Sequence, residues 1–131
     1  MTVAVAHQVS ASSRSALEQA VQEARNRDTD LAVLHVADSL DRDREEAYRL
    51  GVGDQIETAL GGGPGVPWQL HLATAGPGLA ETLLGLVDKV DADLLVIGAR
   101  RRSPVGKAIL GSVAQTVILR ASIPVLVVKA P

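Results

Sequence analysis

At 131 residues with a formal charge of -2, the chain is sized for one domain, residues 1–131, and has no global field to gather nucleic acid or an anionic membrane. It contains no cysteine, which excludes disulfides, thiolate metal sites and cysteine nucleophiles, and permits a reducing compartment. The start, Met1 to Ala6, lacks the basic stretch and long apolar run of a secretory signal, and no segment approaches the roughly 20 apolar residues of a membrane span, so a cytoplasmic location is expected.

Thr2 to Ala6 is a short β-branched run. After a serine-rich turn, Ala16, Leu17, Ala20, Val21 and Ala24 recur as one face of a helix. Ser12, Ser13 and Ser15 are candidate caps for it, and Ser15 with Glu18 has capping-box spacing. Leu31 to Ala37 reads as a nearly continuous apolar strand. Between Asp38 and Leu60 lies a charged, weaker helical stretch carrying Ala47, Leu50, Ile56, Ala59 and Leu60, which Gly51 and Gly53 are expected to interrupt. Gly61 to Pro67 reads as a flexible connector. The alternation Trp68, Leu70, Leu72 then marks a strand with one apolar side, and His71 faces the other way. Pro77 stands near a helix start, with Leu79, Leu83, Leu86, Val87 and Val90 as the helical stripe. Leu94 to Ile97 is the next buried strand. Val113, Val117 and Ile118 lie on a last helix face, and Ile123 to Val128 is a closing apolar strand.

With Trp68 and Tyr48 as the only aromatics in a chain that is 47% hydrophobic, the core must be built from Val, Leu, Ile and Ala, a palette suited to strands buried on both faces. Strands alternating with helices predict an α/β fold, a single open five-stranded parallel sheet with helices on both faces. Such sheets bind ligands beyond the carboxyl ends of their strands, where connections leave in opposite directions, so the loops after Ala6 and Ile97 are the places to look.

The stretch from Gly98 to Ser112 reads as a loop that presents backbone amides to an anion. Gly111 and Ser112 open the last helix, and Ser112 with Gln115 has capping-box spacing. Unpaired amides and the positive helix end suit phosphate, and a glycine at 111 leaves room for it. Arg100, Arg101, Arg102, Ser103 and Lys107 add donors and charge, while Pro104 stiffens the loop. As bare features, glycine at a strand end and serine at a helix start are punctuation, and three arginines are solvated surface. Neither standard nucleotide loop is satisfied, because Ala108 follows Gly106 and Lys107 where a P-loop needs Ser or Thr, and no G-x-G-x-x-G follows the first strand.

Taken together, Gly98, Gly111, Ser112 and Val113, the ending Ile123, Pro124, Val125, Leu126, Val127, Val128, the run Leu34, His35, Val36 and the pair Ala16, Leu17 resemble the universal stress proteins over almost the entire chain. The resemblance implies a Rossmann-like five-stranded parallel fold and an adenine nucleotide, ATP or a relative, with or without Mg2+. It would set Ala6, His7 and Gln8 near the nucleoside, Val36 beside the base, and Gly98, Gly111, Ser112 and Val113 around ribose and phosphates. Arg100, Arg101, Ser103 and Lys107 are added from charge and position. Two departures stand out. Arg101 replaces the family's second loop glycine and either crowds the phosphates or supplies countercharge, and Gln8 replaces an aspartate.

His7, His35 and His71 are too scattered in sequence to read as a ligand set, so no metal is assigned, and His35 reads as a satisfied core side chain. The acidic residues from Asp38 to Glu46 read as a solvated face, no G-x-S-x-G elbow marks a hydrolase, and the absence of Phe disfavours a flavin. The expectation is a nucleotide-responsive stress protein rather than an enzyme, since no general base stands out near a phosphate. Its alternative is a dimeric interaction protein that binds no nucleotide. The apolar strand Ile123 to Val128, sticky as an open edge, predicts a homodimer like that of the resembling family.

Overall fold

The structure, a computed structural model, describes residues 1–7, 11–37, 41, 43–60, 65–76, 78–102, 107–109 and 111–129, with backbone alone at 11, 12, 100–102 and 107–109. Gln8, Pro77, Ser103, Pro104, Gly106 and part of the Gly/Pro connector lie outside the described residues.

The elements follow the order β1 (Thr2–Ala6), α1 (Ala11–Asn26), β2 (Asp30–Ala37), α2 (Glu45–Ala59), β3 (Trp68–Thr74), α3 (Leu79–Lys89), β4 (Leu94–Arg102), β5 (Lys107–Ile109), α4 (Ser112–Arg120) and β6 (Val125–Lys129). Five of the strands form the expected parallel sheet in the order β3-β2-β1-β4-β6. Successive strand residues point to opposite faces, so the two faces can be read from single strands. Val3 and Val5 of β1 pack with Leu31 and Val33 of β2, beneath Leu17 and Val21 of α1 and Val52 and Ile56 of α2. Ala4 and its neighbours Leu34, Leu95 and Ile97 face Leu83, Leu86 and Val87 of α3 and Val117 of α4. Both faces are covered, which is why the sheet tolerates continuous aliphatic strands.

Several boundaries differ from the sequence expectation. Helix α1 starts at Ala11, so Ser12, Ser13 and Ser15 lie inside it. Glu18 forms a 3.4 Å ion pair with Arg14 one turn back. Helix α2 passes through Gly51 and Gly53 without a break. A glycine inside a helix costs about 1 kcal/mol, and the burial of Val52 and Ile56 on the core side offsets that weakness. Leu50, one of the apolar residues that this stretch carries, is 62% exposed.

The largest difference concerns the glycine-bounded loop. Strand β4 does not stop at Ile97 but continues through Gly98 to Arg102. Gly98 and Ala99 find ladder partners in Val128 and Lys129, after which Arg100, Arg101 and Arg102 pair antiparallel with Ile109, Ala108 and Lys107. Backbone groups that would have been orphaned at a strand end are engaged by a hairpin, which adds the short β5 to the five parallel strands.

Candidate functional site

Strand β1 is followed by its neighbour β2 on one side of the sheet, whereas β4 is followed in the parallel sheet by β6 on the other. The carboxyl ends of β1 and β4, held adjacent by the pairing of Val5 with Val96, therefore flank the point where the winding reverses. Ala6 ends β1, and the His7 backbone N–H donates to the Leu34 carbonyl at 2.8 Å, which ties the end of β1 to β2. Ala6 and Val113 pack on the cluster that contains Val36 and Ile97, the residue before Gly98. Three candidate residues thus converge on the sheet face covered by α3 and α4.

Helix α4 begins beside them. Gly111 is its N-cap at φ -67° and ψ 166° and supplies no side-chain cap. The proposed Ser112 and Gln115 capping box is not the start of this helix, because Ser112 already lies within the first turn. The first helical bond runs from the Gln115 N–H to the Gly111 carbonyl at 3.0 Å. The amides of Ser112, Val113 and Ala114 thus precede the intrahelical ladder and point out of the helix end, where the dipole is positive. No acidic residue stands in that turn. A Cβ built on Gly111 would meet nothing within 4 Å, and its backbone angles suit any residue, so neither packing nor conformation demands glycine there. Amides that precede the intrahelical ladder at the positive end of a helix suit an anion.

Arg100, Arg101 and Lys107 have their backbone in the β4–β5 hairpin, and Gln8 and Ser103 lie outside the described residues. No helix among the described residues is long and apolar enough to cross a membrane.

On the opposite face, beneath α1 and α2, the structure joins residues that sequence spacing kept apart. The parallel register of β1 and β2 sets His7 beside His35, with the two Nδ1 atoms 3.0 Å apart. Nε2 of His35 lies 2.9 Å from the Tyr48 hydroxyl on α2. Both imidazoles are buried, at 6% and 4% exposure. Burial, with a smaller contribution from His35, lowers the His7 pKa from 6.5 to about 4, and burial likewise lowers that of His35. His35 is indeed a satisfied core side chain, and its partners became visible only once strand register was known. Among the described residues no group of three or more His, Asp or Glu could hold a metal.

The universal stress protein family profile matches residues 1–129. The chain belongs to that family. A universal stress protein of Mycolicibacterium smegmatis is 40% identical over 116 residues, 88% of each chain. A universal stress protein from Archaeoglobus fulgidus superposes with a TM-score of 0.78 at 32% identity, covering 98% of both chains. Another from the same organism, solved in complex with dAMP, gives a TM-score of 0.76 at 26% identity, again over 98% of each. These universal stress protein structures share the architecture described above from end to end.

Proposed function

We propose that this universal stress protein binds an adenine nucleotide, ATP or a close relative with or without Mg2+, and acts as a binding module rather than a turnover enzyme. The observation that carries this reading is the first turn of α4, whose leading amides precede the intrahelical ladder and which carries no acidic residue, beside the reversal point of the sheet. The structural relative that holds dAMP supports the ligand class. In this reading Ala6, His7 and Gln8 border the nucleoside and Val36 the base, while Gly98, Gly111, Ser112 and Val113 surround ribose and phosphates. Arg100, Arg101, Ser103 and Lys107 supply charge and donors around the phosphates.

Positioning amides bind a nucleotide without activating water, so binding does not imply hydrolysis. The test is to denature purified protein and identify any released nucleotide, then titrate ATP and dAMP by calorimetry with and without magnesium. Neither carried nucleotide nor binding would refute the reading. The second reading, a dimeric interaction protein without nucleotide, is favoured by Arg101 and Gln8 at the two departures from the family pattern. Arg101→Gly separates the two: affinity appearing only in that variant would identify the arginine as an obstruction.

A homodimer through β6 belongs to both readings. This strand pairs with β4 and forms one margin of the parallel sheet, and it carries Val125, Leu126, Val127 and Val128. An apolar margin of that kind suits closed pairing with a second copy across a twofold axis.

A further inference from the structure

The Tyr48, His35 and His7 contacts form a line of polar atoms running from the α2 surface to the end of β1. Tyr48 is 37% exposed, whereas the two imidazoles are buried. A neutral imidazole has one N–H and one lone pair, so the two contacts of His35 must have opposite sense. If the Tyr48 O–H donates to Nε2, then Nδ1 of His35 donates to Nδ1 of His7, and His7 carries its proton on Nε2. If instead Nε2–H of His35 donates to the Tyr48 oxygen, His7 donates from Nδ1 and its Nε2 is a lone pair. No mixed arrangement keeps both hydrogen bonds. Burial holds His35 neutral at neutral pH, which is the condition for this all-or-none choice. A phenol is a good donor and a weak acceptor toward imidazole, so the sense with Tyr48 donating is favoured.

We propose that His35 is a tautomeric relay coupling His7, at the carboxyl end of β1, to the Tyr48 hydroxyl of α2. A ligand that changes the hydrogen-bonding role or position of His7 reverses or breaks the line, and the hydroxyl of the partly exposed Tyr48 exchanges donor for acceptor. The link to ligand rests on the nucleotide reading above; the relay itself does not. His35 and Tyr48 are here positioning residues that act through His7.

The chain has one tyrosine and three histidines, so their NMR signals are few. In the ligand-free protein, long-range proton–nitrogen spectra at neutral pH are expected to show His35 protonated on Nδ1 and His7 on Nε2. Tyr48→Phe removes only the hydroxyl, and the His7 nitrogens are expected to shift with those of His35. A response confined to His35 would overturn the relay. Should that variant not fold, His7→Val read through fluorotyrosine at position 48 serves instead: the fluorine signal is expected to move, and an unmoved signal overturns the relay. Added dAMP is expected to shift both the His35 nitrogens and the fluorotyrosine. Calorimetric binding of dAMP without those shifts overturns the coupling and leaves the nucleotide reading intact. Absence of dAMP and ATP binding refutes the nucleotide reading, and the ligand-free spectra still decide the relay.

Discussion

A Cβ at position 111 would meet no atom within 4 Å, and the backbone there accepts any residue. Gly111→Val is therefore expected to lower nucleotide affinity about tenfold or more by occupying the phosphate position. The loss of a favoured N-cap residue costs only about 1 kcal/mol of stability. Calorimetry and thermal melting on the same sample check this, and equal affinity would remove the phosphate from that helix end. Arg102→Ala is expected to matter less, because one side-chain charge contributes little beside several amides. Single residues were also where sequence reading was least complete. Glycine at 111 and the adjoining serine were legible because helix starts carry local signals. The meeting of His7 with His35 was not, since residues 28 positions apart touch only through strand register.

At the scale of elements, aliphatic runs and helical stripes were enough to locate the five parallel strands and the core faces of α1, α3 and α4. All five apolar positions read for α1 are buried against the sheet. What failed was punctuation. Gly51 and Gly53 looked like breaks, yet tertiary burial of Val52 and Ile56 carries α2 across them. The β4–β5 hairpin stayed hidden because Arg100, Arg101 and Arg102 lack the apolar alternation that marks a strand, and their backbone pairing is nonlocal information. The placement of α2 makes a contrast that can be measured. Ile56→Ala, at a fully buried position, is expected to cost roughly 2–5 kcal/mol, whereas Leu50→Ala at an exposed one should stay within about 0.5 kcal/mol. Chemical denaturation followed by Trp68 fluorescence reads both. Equal costs would mean that the helix presents a different face to the sheet.

At the scale of the whole molecule, the margin of the sheet and the buried imidazoles make separate demands. Light scattering at micromolar concentration is expected to give a dimer. A monomeric parent protein would remove the proposed pairing.

The imidazoles predict how folding stability depends on pH. The His7 pKa is lowered to about 4 in the fold, while the unfolded chain titrates near 6.5. Between those values the unfolded chain binds the extra proton and the folded one does not, so stability increases with pH across this window. The contribution is complete above about pH 6.5 and is lost as pH falls toward 4. His35, lowered in the same direction, adds to the same slope. One proton bound only by the unfolded chain changes stability by about 1.4 kcal/mol for each step of one in pH, so His7 alone accounts for roughly 2 kcal/mol between about pH 7 and 4.5. Urea denaturation of the parent protein and of His7→Val should therefore give curves that run parallel above about pH 6.5 and diverge in slope below it, with the variant flatter. Equal slopes in the acidic range would mean that His7 is protonated in the fold as readily as in the open chain.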